Sequence, residues 1–320
     1  MSTDPAPPPA RAPFQPMRSI LLHLSGSKRL APWMMRNPVS RRVAQRFVAG
    51  EKLDDAVLAA RAVNRAGQSA SLDLLGENVA DEASARRSAQ NYLAIFDRIA
   101  QERLDSNVSL KLTQLGLDLG AGLCEELLDG IVAHAARHSN FVRVDMEGSP
   151  YTQRTIDIVK RVRARHENVG AVMQAYLYRT EDDIRGLLAA GCRMRLCKGA
   201  YNEPPSVAFP QKSDVDANYV KLMKILLPSG VYHGIATHDP AMLQAARDFV
   251  REKGIARDRF EFQMLYGIRT DLQRQLVREG YRLRIYIPYG ADWFPYFMRR
   301  LAERPANLTF FLRSLLPRRA

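Results

Sequence analysis

The chain has 320 residues, 46% hydrophobic and 25% charged, which is enough apolar material for a full core and argues against a fibrous or low-complexity protein. No apolar run approaches the roughly eighteen residues a membrane helix needs, so a membrane-spanning chain is not expected. The formal net charge of +13 gives a surface that attracts phosphate, whether on nucleic acid, anionic lipid or a nucleotide cofactor.

Residues 1–16 are rich in proline and alanine without periodicity and read as a tail lacking fixed structure. They show no charged n-region followed by an apolar h-region, so no secretory signal is expected and the cytoplasm is the expected compartment. Residues 17–66 read as an N-terminal helical arm, with Val43, Phe47, Leu53, Val57 and Ala60 on a buried stripe. Within it Lys28, Arg29, Arg36, Arg41, Arg42 and Arg46 lie near Trp33, Met34, Met35 and the apolar run Ile20-Leu21-Leu22. That mixture suits either peripheral contact with an anionic membrane on its inner face or a merely solvated basic surface.

From residue 67 onward the pattern changes. Short runs rich in β-branched and aromatic residues recur roughly every thirty residues, each followed by an amphipathic stretch, which is the alternation of parallel βα units. The strand candidates are residues 70–75, 108–112, 141–145, 171–176, 194–197, 231–237, 260–265 and 283–287. Eight such units predict an α/β protein with a closed (βα)8 barrel of the TIM type, spanning 67–320. Polar residues stand near the C-terminal end of each strand, where barrel enzymes build their sites: Asp73, Lys111, Asp145, Gln174, Arg195 with Lys198, Thr237 with His238, Gln263 and Tyr286.

Several weaker patterns do not amount to sites. Cys124, Cys192 and Cys197 are odd in number and match no CxxC spacing, so they read as reduced and buried. His134 and His138 stand at i, i+4, but Ala135 occupies the position where HExxH carries its base, so they read as surface histidines and no metal is expected. Gly120-Ala-Gly122-Leu-Cys-Glu125 supplies only half of a dinucleotide fingerprint. No GxSxG, Walker loop or nucleic-acid motif is present, so hydrolase, NTPase and nucleic-acid-binding readings have no support beyond charge.

The last segment joins a strand-like run, 281–290, to a helical segment, 291–303, carrying Arg299, Arg300 and Glu303. Two adjacent guanidinium groups suit a carboxylate clamp, because each grips a carboxylate bidentately, but on the segment alone Arg-Arg with a following Glu reads first as an ordinary solvated helix surface. Glu303 follows them by four and three positions, so it shares their helical face and is placed to orient them.

The blocks Ser71-Leu-Asp-Leu-Leu-Gly-Glu77, Ser109-Leu-Lys-Leu-Thr-Gln-Leu-Gly116, Val142-Arg-Val-Asp-Met-Glu147, Gln174-Ala-Tyr176, Arg195-Leu-Cys-Lys-Gly-Ala-Tyr201, Ala236-Thr-His-Asp239, Phe262-Gln-Met-Leu-Tyr-Gly267, Tyr286-Ile-Pro-Tyr-Gly290 and Arg299-Arg-Leu-Ala-Glu303 closely resemble the proline dehydrogenase family. The resemblance spans residues 40–315, and in length the chain resembles the short single-activity bacterial enzymes rather than the fused proline utilisation A proteins. Cys197 departs from it, standing where a β-branched residue is expected.

The resemblance implies FAD-dependent oxidation of L-proline to 1-pyrroline-5-carboxylate, with hydride passing from substrate C5 to flavin N5 and electrons leaving to a membrane quinone. A separate pyrroline-5-carboxylate dehydrogenase would then complete proline catabolism. It also implies that the final helix carries its arginine pair over the barrel mouth. By that resemblance Arg299, Arg300 and Lys111 hold the proline carboxylate, Tyr286 packs beside the ring, Leu265 forms an apolar wall, and Asp145 is an acid near that tyrosine and lysine, holding Lys111 in place. Arg195 is implied near flavin N5, where a cation stabilises developing negative charge. Gln174, Lys198, Gly199, Ala200, Thr237, His238 and Arg300 are implied as further cofactor contacts, Gly199 by letting backbone approach the ligand.

Two other readings of the barrel remain. A Schiff-base enzyme of aldolase type would use Lys111 or Lys198 as nucleophile and needs a depressed lysine pKa. A non-enzymatic basic barrel would associate with membrane or protein partners.

Overall fold

The computed structural model describes residues 30–37, 40 and 43–303. The proline-rich tail, the run Ile20-Leu21-Leu22, and Lys28, Arg29, Arg41 and Arg42 lie outside the described residues.

Two helices precede the sheet, α1 (Leu30–Arg36) and α2 (Leu53–Arg65). The barrel follows as β1 (Ser69–Leu74), α3 (Glu82–Gln101), β2 (Ser106–Leu110), α4 (Ala121–Arg137), β3 (Val142–Val144), α5 (Ser149–Arg163), β4 (Val169–Gln174), α6 (Thr180–Ala189), β5 (Arg193–Cys197), α7 (Lys212–Leu226), β6 (His233–Ala236), α8 (Pro240–Glu252), β7 (Phe260–Leu265), α9 (Thr270–Arg278) and β8 (Leu283–Tyr289). A last helix, α10 (Trp293–Glu303), ends the described chain. The eight strands run parallel in sequence order, and β8 closes on β1 in the register Ala70↔Ile285 and Leu72↔Ile287. The closed eight-stranded α/β barrel expected from the βα alternation is therefore present.

The described residues form two compact units, one of residues 45–293 and one holding α1 and the part of α10 from Phe294 onward. The first contains the whole barrel. Leu72, Val108, Leu110, Val142, Val144, Leu196, Ile235, Phe262, Ile285 and Ile287 are buried along its strands, consistent with a parallel sheet covered on both faces. Helix α2 packs on β1 and β8 through a buried stripe of Ala56, Ala60 and Val63, with Leu53 half-buried at its start. No described helix is long and apolar enough to cross a membrane.

Local chemistry sets the loops at the C-terminal strand ends. Asp81 caps α3 by accepting a hydrogen bond from the Ser84 amide at 2.7 Å. Asp239 caps α8 in the same way through the Ala241 amide at 3.0 Å, with Pro240 at the first helical position.

All strands but β7 differ from the sequence candidates by one or two residues at an end, and three of these shifts have a local cause or consequence. The chain after β2 turns at once into a 3-10 segment, Leu112–Leu115, so Leu112 is not a strand residue. Tyr176 likewise lies beyond β4. Conversely β8 continues through Pro288, where the sequence reading stopped: pairing with β7 ends at Leu265↔Tyr286, so the proline sits past the last β7 partner and its missing N–H interrupts no ladder on that side. None of the three cysteines forms a disulfide; Cys124 and Cys192 are buried as expected, whereas Cys197, the last residue of β5, is half-buried.

Candidate active site

The C-terminal ends of the strands converge on a connected polar cluster. From β1 and the end of β2, Asp73 and Lys111 meet, with Lys111 Nζ 3.2 Å from Asp73 Oδ1. The register explains the pairing, since Asp73 lies opposite Ser109 and Lys111 is the next residue on the same face of its strand. Asp73 is fully buried and the lysine side chain is 8% exposed. Burial works against the Lys111 ammonium, but the Asp73 and Asp145 carboxylates outweigh it and hold its pKa above the ordinary lysine value. Burial in turn raises the Asp73 pKa, against the pull of Lys111.

Asp145, just past β3, joins two other strands. Its Oδ1 accepts from Arg195 Nη1 at 2.7 Å and its Oδ2 accepts from the Tyr286 hydroxyl at 2.7 Å. Arg195 is further held by Ser109 Oγ at 2.9 Å and by the Gln263 side-chain oxygen, and its guanidinium lies 5.1 Å from the centre of the Tyr286 ring. Burial first, then the Asp145 charge, pushes the Tyr286 phenol well above its usual pKa, so it remains a hydrogen-bond donor. Asp145 thus stands beside Tyr286 as expected, but its ion-pair partner is Arg195; the residue holding Lys111 is Asp73, its neighbour across one strand pair.

Other residues singled out from sequence stand at or just past the C-terminal ends of β4 to β7. Gln174 ends β4, 3% exposed; its amide nitrogen donates to Met146 O at 3.5 Å, while its Oε1 is buried without a hydrogen-bond partner. Lys198 pairs with Asp216 and, at 2.7 Å, with Asp239. Thr237 Oγ1 accepts from the Asp239 amide at 3.0 Å, and His238 Nε2 accepts from the Leu265 amide at 2.8 Å, so the neutral ring carries its proton on Nδ1. Leu265 is half-buried at the end of β7.

Gly199 has φ +119°, and a Cβ there would lie 2.3 Å from Cδ1 of Tyr176. Its missing side chain is thus required by the ring beneath it, a different reason from the close ligand approach anticipated from sequence. Ala200 follows it in the same loop.

Helix α10 carries Arg299 and Arg300, with the Arg300 guanidinium 5.0 Å from the Tyr296 ring centre. Glu303 ends the helix and its side chain lies outside the described residues. The sequence placed Asp73 and Gln263 among the strand-end polar residues without an individual role, and gave none to Ser109, Asp216 or Asp239. Asp73 and Gln263 carried a signal, polar groups inside apolar strands; Asp216 and Asp239 did not, because acids at helix starts are ordinary.

A family model described as proline dehydrogenase matches residues 56–313. The chain belongs to the proline dehydrogenase family. Proline dehydrogenase 2 of Bacillus subtilis (strain 168) is 45% identical over 298 residues, covering 93% of this chain and 98% of that one. The proline dehydrogenase of Deinococcus radiodurans is 40% identical over 279 residues, covering 86% and 90%. Among solved structures, proline utilization A from Bdellovibrio bacteriovorus, inactivated by N-propargylglycine, superposes with a TM-score of 0.77 at 21% identity. It covers 91% of this chain and 42% of the larger protein, a likeness that shows the shared barrel fold. Membership of the proline dehydrogenase family agrees with the resemblance read from the sequence blocks and leaves a purely non-enzymatic barrel without support.

Proposed function

We propose that this chain oxidises L-proline to 1-pyrroline-5-carboxylate with FAD as cofactor. The observation that carries the reading is the mouth cluster, in which Lys111, Asp73, Asp145, Arg195 and Tyr286 from five strands are fixed by direct contacts. When bound, FAD supplies the acceptor for the hydride leaving proline C5.

The residues present fit such a group. Gln174 Oε1 is a buried acceptor without a partner, the kind of atom that a flavin N–H satisfies. Arg195, 6% exposed and held on three sides, supplies a fixed cation beside it in the sequence of strands, suited to stabilising charge on a reduced flavin. Lys198, Gly199, Ala200, Thr237 and His238 are assigned as further cofactor contacts.

For the substrate, the formal charges of Asp73 and Asp145 already balance those of Lys111 and Arg195, so an incoming carboxylate needs further cations. Arg299 and Arg300 are assigned to that task together with Lys111, and Glu303 is assigned to orient the pair. Tyr286 and Leu265 flank the ring and exclude water from the reacting carbon. Positioning of this kind is what turns binding into rate for a small zwitterion. A quinone is the proposed final acceptor and a separate pyrroline-5-carboxylate dehydrogenase the proposed consumer of the product; a peripheral membrane contact through the basic N-terminal region would bring the quinone within reach.

The Schiff-base reading is disfavoured by Lys111, whose pKa is raised rather than depressed, and by Lys198, whose ammonium is engaged by two carboxylates. The deciding experiment is the visible spectrum of the purified protein before and after L-proline without oxygen. Flavin bands that bleach support the proposal. A yellow protein indifferent to proline rejects the substrate, and a colourless protein that stays inert after FAD is supplied rejects both.

A further inference from the structure

Outside the mouth, one cluster of potential ligands brings together residues from two elements. His134 and His138, one turn apart at the end of α4, direct their Nε2 atoms at the same oxygen of Asp97 on α3, at 2.7 and 2.9 Å. The ring centroids are 5.2 Å apart and the rings are inclined at 66°. The three ligand atoms all lie within 4.8 Å of one another, and no other such group of three occurs among the described residues.

Two imidazoles and a carboxylate make a ligand set suited to late first-row divalent ions. The i, i+4 spacing presents both rings on one helical face. The neighbouring helix adds the anion, and partial exposure, 19% and 28% for the histidine side chains, leaves room for water as a further ligand. We propose that Asp97, His134 and His138 form a divalent-metal site, with Zn2+ as the fitting ion, that clamps α3 to α4. In a parallel βα barrel the C-terminal ends of the helices lie at the base, so this site is remote from the mouth and structural in role. It is independent of the proline reading.

The test is calorimetric titration of Zn2+ into the full chain after chelator treatment, with His134→Ala, His138→Ala, Asp97→Asn and, as control, His166→Ala. His166 contacts a carboxylate, Asp129, at 3.2 Å but belongs to no group of three candidate ligands among the described residues. The expected result is one ion per chain, bound at least about tenfold more weakly by each ligand variant, since losing only an outer partner of a metal ligand already costs 10–100-fold. The control binds as the parent does, and Zn2+ raises the thermal midpoint of the parent but not of a His134→Ala/His138→Ala double variant. No uptake by the parent, or undiminished uptake by the double variant, overturns the proposal. Proline-dependent reduction of an acceptor by the double variant is expected to match the parent; a loss would refute the structural role.

Discussion

Lys111 and Asp73 form a buried ion pair across β1 and β2, with 3.2 Å between Nζ and Oδ1. Such a pair is costly to assemble and costlier to break from one side, because the surviving charge is left in a poor solvent. Asp73→Asn keeps the shape and removes the anion. It is expected to lower stability by about 3–5 kcal/mol in denaturant titration and to weaken apparent proline affinity as Lys111 loses its anchor. A loss under about 0.5 kcal/mol with unchanged affinity would show that the pair holds nothing in place.

How far the sequence reached can be judged from that same pair. The eight strands were legible because each is a short apolar run with a polar residue at its C-terminal end, and parallel strands buried on both faces must look like this. The polar residues of the mouth were legible as positions, but their partners were not. The family resemblance pairs Asp145 with Lys111, and only the folded register shows that Lys111 faces Asp73 while Asp145 reaches Arg195 and Tyr286. β8 runs past the candidate 283–287 through Pro288, which the sheet accommodates because it stands where one neighbour has already ended. The Asp97 contribution to the histidine pair had no signal in sequence, because it comes from the adjacent helix.

Gly199 is expected to tolerate no side chain. At φ +119° an alanine is strained whatever the space, and its Cβ would meet the Tyr176 ring. Gly199→Ala should therefore destabilise the fold by about 1–3 kcal/mol and weaken flavin retention, because the strain falls on the loop that follows Lys198. Thermal unfolding together with the flavin content of the purified variant checks this. A variant matching the parent in both would show that the loop relaxes freely.

His233 gives a pH prediction at the other end of β6. It is fully buried, its Nδ1 accepts from the Met194 amide at 3.0 Å, and burial together with the nearby Arg143 charge brings its pKa from 6.5 down to about 3. Between those two values the unfolded chain holds a proton that the native protein refuses, so acid favours unfolding. The neutral ring's contribution is complete above about pH 6.5 and declines by about 1.4 kcal/mol per unit as the pH falls toward 3. His233→Gln keeps an acceptor and removes the titration. Subtracting its stability profile from that of the parent between pH 7 and 4.5 should isolate this slope; parallel profiles would contradict it.

The arginine pair carries the substrate assignment. Arg299→Met and Arg300→Met each remove one charge-assisted partner while keeping much of the side-chain volume. Because hydrogen bonds to charged groups are worth about 1.5–3 kcal/mol, each change should raise the apparent proline constant by at least about tenfold. Flavin content should be retained in Arg299→Met, which separates a substrate defect from a cofactor defect; Arg300, assigned to both, is the less clean probe. A second comparison isolates the carboxylate itself: pyrrolidine, which lacks that group, should gain nothing from either arginine, so the parent and both variants should handle it alike. If proline affinity is unchanged in both variants, the carboxylate is held elsewhere and the clamp assignment fails. If pyrrolidine suffers as much as proline, the arginines act on the structure of the site and not on the carboxylate.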